Sequence, residues 1–265
     1  MAAPATNDEA TGYFAQLGGL VLSSIGQLTG PSSDPHASQA ARKFWRQAGV
    51  LIAIGAIAVV VLMVAVDLPE IKLMPPRNAP GLWPVRILTD FGKAEFVLWS
   101  IFALLVAATL VAAGARDAMR ARLVPLIAEL QYLLLAVIVP ILAGELIKWI
   151  VGRGRPFVGP DPFTFSHFSG ASAYASFPSA HAITSAALAF AVSALWPRWR
   201  LPMIVYAVLI IATRLVLLAH HPSDVTAGAV FGVVGAMAVR YWFAARGIGF
   251  GVGHDGAILP RPGQP

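Results

Sequence analysis

The chain contains no cysteine among its 265 residues. That excludes disulfide staples, thiolate metal sites, iron–sulfur clusters and cysteine nucleophiles. Charge is scarce as well. Asp, Glu, Lys and Arg together make up 12% of the residues, against roughly 25% in a soluble domain. Neither a disordered segment, nor a coiled coil, nor a collagen-like chain has this composition. Apolar residues fill the gap: 57% are hydrophobic and the mean hydropathy is +0.72. A soluble core of this size cannot hide so much apolar surface, so lipid must be the solvent. The net charge of +6 is a modest excess whose meaning depends on where it lies.

The apolar residues fall in six stretches, each near the ~20 residues needed to cross a bilayer as a helix. They are 48–66, 96–115, 126–147, 179–196, 201–219 and 223–243. An all-α, six-span bundle follows, with one domain over 48–243. Residues 1–47 read as an N-terminal tail without a signal peptide, in which Tyr13 to Leu28 is apolar enough to touch the interface. Residues 244–265 read as a flexible Gly/Pro-rich tail. Its alternating glycines, 247 to 253, follow the last span with no strand before them, and so make no phosphate loop. Gly228 and Gly232 form a GxxxG in the last span, suited to close helix packing or to a dimer face.

Basic residues orient the bundle. Eleven Lys and Arg flank one side: Arg42, Lys43, Arg46, Arg116, Arg120, Arg122, Arg198, Arg200, Arg240, Arg246 and Arg261. Eight flank the other: Lys72, Arg77, Arg86, Lys93, Lys148, Arg153, Arg155 and Arg214. Both termini are therefore expected in the cytoplasm of a bacterial inner membrane. The loop after the third span then faces the periplasm.

Three stretches on that outer side carry polar groups that a lipid-embedded chain avoids. Lys148 to Pro156 closes the third span, Pro178-Ser179-Ala180-His181 opens the fourth, and Thr213-Arg214 through His220 to Asp224 joins the last two. Arg214 lies inside an apolar helix, where a charge costs about 2.5–3.5 kcal/mol on insertion scales. Lys148, Arg155 and Arg214 converge without enough acids to pair them, and want an anion with several oxygens; phosphate suits both Arg and Lys. Ser179 and Ala180 sit at a helix start, where free backbone N–H groups also attract an anion. His220 and Asp224 lie four apart across Pro222, so the carboxylate is expected to bond one ring nitrogen and leave the other free to attack. His181 is the candidate acid for the leaving oxygen. His181, His220 and Asp224 could in principle hold a metal, but three neighbouring cations repel one, and no cofactor is expected. Glu145, one turn from Lys148, is expected to pair with it. Glu129 is expected to be solvated near the cytoplasmic end. His167 lies in the outer loop, within reach of a headgroup.

These stretches resemble the tripartite signature of the type 2 phosphatidic acid phosphatase superfamily: K-x6-R-P, then P-S-G-H, then S-R-x5-H-x3-D. The first and third spacings match, Ala180 replaces the glycine, and Thr213 replaces the serine. The motifs span 148–224, and the layout extends the likeness to about 48–243. The resemblance implies that Lys148, Arg155, Ser179 and Arg214 bind phosphate, with Ala180 supplying a backbone N–H. It also implies that His181 is the acid, His220 the nucleophile and Asp224 its partner. The soluble vanadium haloperoxidases of the superfamily do not fit a chain this apolar.

The reading is a metal-independent lipid phosphatase working through a phosphohistidine on a lipid phosphate or pyrophosphate. Undecaprenyl pyrophosphate, phosphatidylglycerophosphate, phosphatidate and lipid A phosphates are the candidates. A lipid phosphotransferase of the same superfamily is the first alternative, and a non-enzymatic lipid transporter the second. The expected partners are the lipid substrate and the bilayer, with no nucleic acid and a homodimer left open.

Overall fold

The computed structural model describes residues 7–159 and 161–261, with side chains from residue 12 onward. In chain order the helices are α1 (Asn7–Thr29), α2 (Ala37–Ala65), α3 (Asp67–Leu73), α4 (Trp83–Asp90) and α5 (Ala94–Gly114). They continue with α6 (Asp117–Val151), α7 (Ala180–Leu195), α8 (Arg200–Val216) and α9 (Pro222–Ala245). A hairpin of β1 (Phe250–Val252) and β2 (Ile258–Pro260) follows, with Phe250 opposite Pro260.

Among the described residues, five helical segments are long and apolar enough to cross a membrane: 37–65, 80–114, 117–151, 197–216 and 222–245. The span expected at 179–196 is the apolar helix α7, whose 16 residues fall short of the ~20 of a full crossing. Its start is set by Pro178 and Ser179, and Pro197 follows its last turn. α9 packs against α2, α6 and α7 and lies at the centre of the bundle. Small residues allow this. A Cβ on Gly228 would come within 2.6 Å of the Ser179 carbonyl, and one on Gly232 within 2.4 Å of the Ile183 carbonyl. The GxxxG is thus occupied by α7 of the same chain. On α2, by contrast, Ile54, Ile57, Val60 and Val64 stand exposed, as a lipid-facing surface does.

Both terminal segments depart from the tails expected of them. Tyr13, Leu17, Leu20, Ser24 and Leu28 of α1 are half-buried along one face at helical spacing. That face packs on α5, and the Tyr13 hydroxyl donates to the Leu110 carbonyl at 3.1 Å. At the other end, Ile248 and Phe250 are buried, and the Phe250 ring lies edge-on to Tyr132 of α6. Glycines in this stretch form turns between buried apolar residues. Gly256, with φ of +73°, takes the left-handed position in the hairpin turn. Glu129, expected to be solvated, is buried at 5% exposure.

Candidate active site

The three signature stretches meet at one end of the bundle. Lys148 closes the last turn of α6, where a cation suits the helix dipole, and pairs with Glu145 as expected. Gly152 then ends the helix in the left-handed conformation, with its N–H on the Lys148 carbonyl. Any Cβ there would overlap the Ser166 carbonyl oxygen at 1.8 Å. Only glycine therefore lets the 153–176 loop fold back over the site.

Arg153 and Arg155 follow. Arg155 is tied through its backbone N–H to the Ala173 carbonyl, while its buried Nε has no partner. Burial, and after it the guanidinium of Arg77, hold Arg155 below its ordinary pKa. Ser179 caps α7 by position only. Its hydroxyl makes no capping bond and is buried without a partner, and its N–H donates to the Asp224 carbonyl at 3.1 Å. Ala180 and His181 form the first turn of α7, and His181 Nε2 is likewise buried and unpartnered. Arg214, in the last turn of α8, donates from Nη1 to Thr89 Oγ1 at 2.7 Å, leaving Nε unpartnered. Orphaned buried donors are rare in folded proteins. Here Arg155, Ser179, His181 and Arg214 each contribute a polar atom without a partner.

His220 follows α8 in the turn before α9. Its Nδ1 lies 2.8 Å from the Ser176 carbonyl, and the Asp224 carboxylate is 3.9 Å away. The expected His220–Asp224 hydrogen bond is therefore absent, and the backbone of Ser176 takes its place. The reason is competition. Asp224 accepts from Arg153 at 2.7 Å, from the Ser176 hydroxyl at 2.6 Å and from the His221 N–H at 2.9 Å. Asp224 holds Ser176 by its hydroxyl, and the carbonyl of the same residue holds the His220 ring. Because a carbonyl only accepts, the proton sits on Nδ1 and the Nε2 lone pair is free. Burial first, then Arg155 and Arg214, hold His220 well below its ordinary pKa, against the opposing pull of the Ser176 bond. The ring is neutral at neutral pH.

Beneath the site lies a network that the sequence reading missed. Arg153 is fully buried and spends its guanidinium on Asp67, Ser223, Asp224 and the Pro162 carbonyl. Asp67, just past α2, also accepts from the Ser223 N–H and hydroxyl. The start of α3 is thereby locked to the signature loop and to α9. Glu70 stands beside this cluster, buried and without a hydrogen-bond partner. Burial, then the charges of Asp67 and Asp224, push its carboxyl up to about 7. The available signal was an acid at position 67 directly after an uncharged span, with a surplus arginine at 153. His167 lies apart, in an exposed position, with its ring near the Ile150 carbonyl.

No group of three His, Asp or Glu among the described residues converges as a metal site. The side chains brought together here are Lys148, two guanidiniums with unpartnered nitrogens, the first turn of α7 and the neutral imidazole of His220.

The profile of the PAP2 superfamily matches residues 129–248, which include all three stretches. A lipid A 1-phosphatase of Rhizobium johnstonii is 33% identical over 209 residues, covering 77% of this chain and 84% of that protein. The chain belongs to the PAP2 superfamily. A lipid A 1-phosphatase of Rhizobium etli is 37% identical over 132 residues, covering 49% of this chain and 57% of that one. No solved structure matches. The PAP2 profile begins at Glu129, so α1, α2 and the Asp67 anchor lie outside it, as does the hairpin.

Proposed function

We propose that this PAP2 protein is a metal-independent lipid phosphatase that removes a phosphate from lipid A through a phosphohistidine at His220. The observation that carries the chemistry is the neutral His220, oriented by the Ser176 carbonyl beside two guanidiniums with unpartnered donors. The two relatives named lipid A 1-phosphatases support the substrate.

In this reading Arg155, Arg214, Lys148, the Ser179 hydroxyl and the N–H groups of the first turn of α7, including that of Ala180, hold the phosphate oxygens. His220 Nε2 attacks phosphorus and the bond to the lipid oxygen breaks. His181 gives its proton to that oxygen, an acid role that the bound phosphate's negative charge favours by stabilising the imidazolium. Water then attacks the phosphohistidine, His181 takes the water proton, and inorganic phosphate leaves with His220 restored. Asp224 and Arg153 keep the Ser176 carbonyl in place throughout.

The site opens at the outer face of a six-span bundle in the inner membrane, α7 being the short sixth crossing. Support comes from the opposite end, where Lys43 pairs with Asp255 near Arg42, Arg46 and Arg240, gathering cations with both terminal segments.

The test is phosphate release by the purified protein from lipid A, phosphatidate, phosphatidylglycerophosphate and undecaprenyl pyrophosphate, all in EDTA. Release from lipid A at the highest kcat/KM is expected. Release from none of them, or only after a divalent cation is restored, overturns the reading.

A further inference from the structure

Beside the phosphate receptor is a cavity of about 300 Å3 lined by Arg77, Asn78, Arg86, Arg214, Leu217 and Ala219. It shares Arg214 with the site above, but neither histidine lines it. Its walls are fixed. α4 packs on α8, and Thr89 of α4 binds both Thr213 and Arg214. Leu82, Leu217 and Ala219 form a small apolar cluster under it. Arg86 donates to the Arg77 carbonyl at 2.8 Å, and the Arg77 guanidinium lies 4.1 Å from the centre of the Phe157 ring. The two arginines are thereby held near one another at the mouth.

Charge counting shows what is missing. Lys148 has Glu145, and Arg153 has Asp67 and Asp224. Arg77, Arg86, Arg155 and Arg214 make no ion pair among the described residues. A phosphate monoester carries about −1.5 to −2, enough for Arg155 and Arg214. The remaining two guanidiniums match a second phosphate. Neither Arg77 nor Arg86 belongs to the three signature stretches.

We propose that this cavity is a second anion subsite, which takes a further phosphate of the substrate beside the one that reacts. The proposal rests on the phosphatase reading only for its kinetic consequences; anion binding at the cavity does not depend on turnover. The second phosphate comes either from a diphosphate linkage or from a separate phosphate on the same headgroup.

Two measurements on the full-length protein test it. In the first, inorganic pyrophosphate and inorganic phosphate are titrated calorimetrically. Pyrophosphate is expected to bind at least about tenfold tighter, and the Arg77→Gln/Arg86→Gln variant to lose that advantage while phosphate affinity changes less than about threefold. Arg77→Lys/Arg86→Lys, which keeps the charge without the planar fork, is expected to fall between. Equal affinities for the two anions in the unmodified protein overturn the proposal, and so does a pyrophosphate advantage that survives in the Gln variant. If that double variant does not fold, Arg77→Gln alone, at an exposed position, decides on the same criterion.

The second measurement compares kcat/KM on two substrate pairs: a polyprenyl monophosphate against its diphosphate, and a lipid A disaccharide with one phosphate against two. The Gln variant is expected to lose about tenfold or more on the two-phosphate member of at least one pair, and less than about threefold on its partner. Loss confined to the polyprenyl pair identifies a diphosphate linkage as the source, and loss confined to the disaccharide pair a separate phosphate. Equal losses within both pairs overturn the proposal. No release from any substrate by the unmodified protein overturns the phosphatase reading, and the titration then still decides the subsite.

Discussion

Arg153 and Arg155 stand two residues apart in one loop and are used in opposite ways. Arg153 is fully buried and has its guanidinium satisfied by two carboxylates, a hydroxyl and a carbonyl. Arg155 is half-buried, meets no carboxylate in an ion pair among the described residues, and keeps a buried nitrogen unpartnered. The first ties the loop to α3 and α9, and the second is, in the proposed function, a phosphate ligand. Residue type alone does not separate these two cations; their burial and the state of their donors do.

Substitution at the two positions should therefore give opposite signatures. Arg153→Gln leaves two buried carboxylates short of their cation. It should cost about 3–5 kcal/mol, as breaking buried ion pairs does. Thermal unfolding in detergent checks this, and the expected outcome is a protein that unfolds at much lower temperature. Arg155→Gln should leave unfolding unchanged and lower kcat/KM about 10²–10³-fold, the usual size for removing a donor to the transition-state oxyanion. A stability loss at Arg155 equal to that at Arg153 would erase the distinction.

Ser176→Ala sharpens the comparison, because Ser176 connects the two systems. It removes the hydroxyl bond to Asp224 but leaves the carbonyl that holds His220. A stability loss of about 1.5–3 kcal/mol is expected, the range for a hydrogen bond to a charged group. The rate should fall by no more than about tenfold, a factor that corresponds to about 1.4 kcal/mol. Stopped assays at matched folded concentration separate the two effects.

A further effect concerns Glu70. Its carboxyl is raised from 4.5 to about 7 in the folded chain, so the folded state binds more protons than the unfolded one between those values. Its contribution is fully present below pH 4.5 and is lost as pH rises through about 7. Glu70→Gln should flatten that part of the stability profile, gaining most over the parent protein above pH 7. Unfolding temperatures across this range, for parent and variant, measure the difference.

What could be read from the sequence follows the same division. The meeting of the three stretches was legible because their polar residues sit at set spacings, each stretch flanked by apolar helix. The supporting network was not, since Asp67 and Arg153 are 86 positions apart and Ser176 and Asp224 are 48 apart. Nothing local in sequence announces such pairs. The His220–Asp224 contact was expected because the spacing allows it, but three other donors occupy that carboxylate. Helix α1 and the terminal hairpin were read as tails because each buries only a few side chains, on a face that exists only once the bundle is formed. The short α7 was legible as an apolar segment, bounded by Pro178-Ser179 at its start and Pro197 beyond its end.

The proposed chemistry runs through His220 Nε2. Rapid quenching of the purified protein with a radiolabelled lipid phosphate should trap a phosphoprotein that is labile to acid and stable to base, with the label on His220. His220→Ala should trap none and release no phosphate. Label on another residue, or turnover by His220→Ala at the parent rate, contradicts the account.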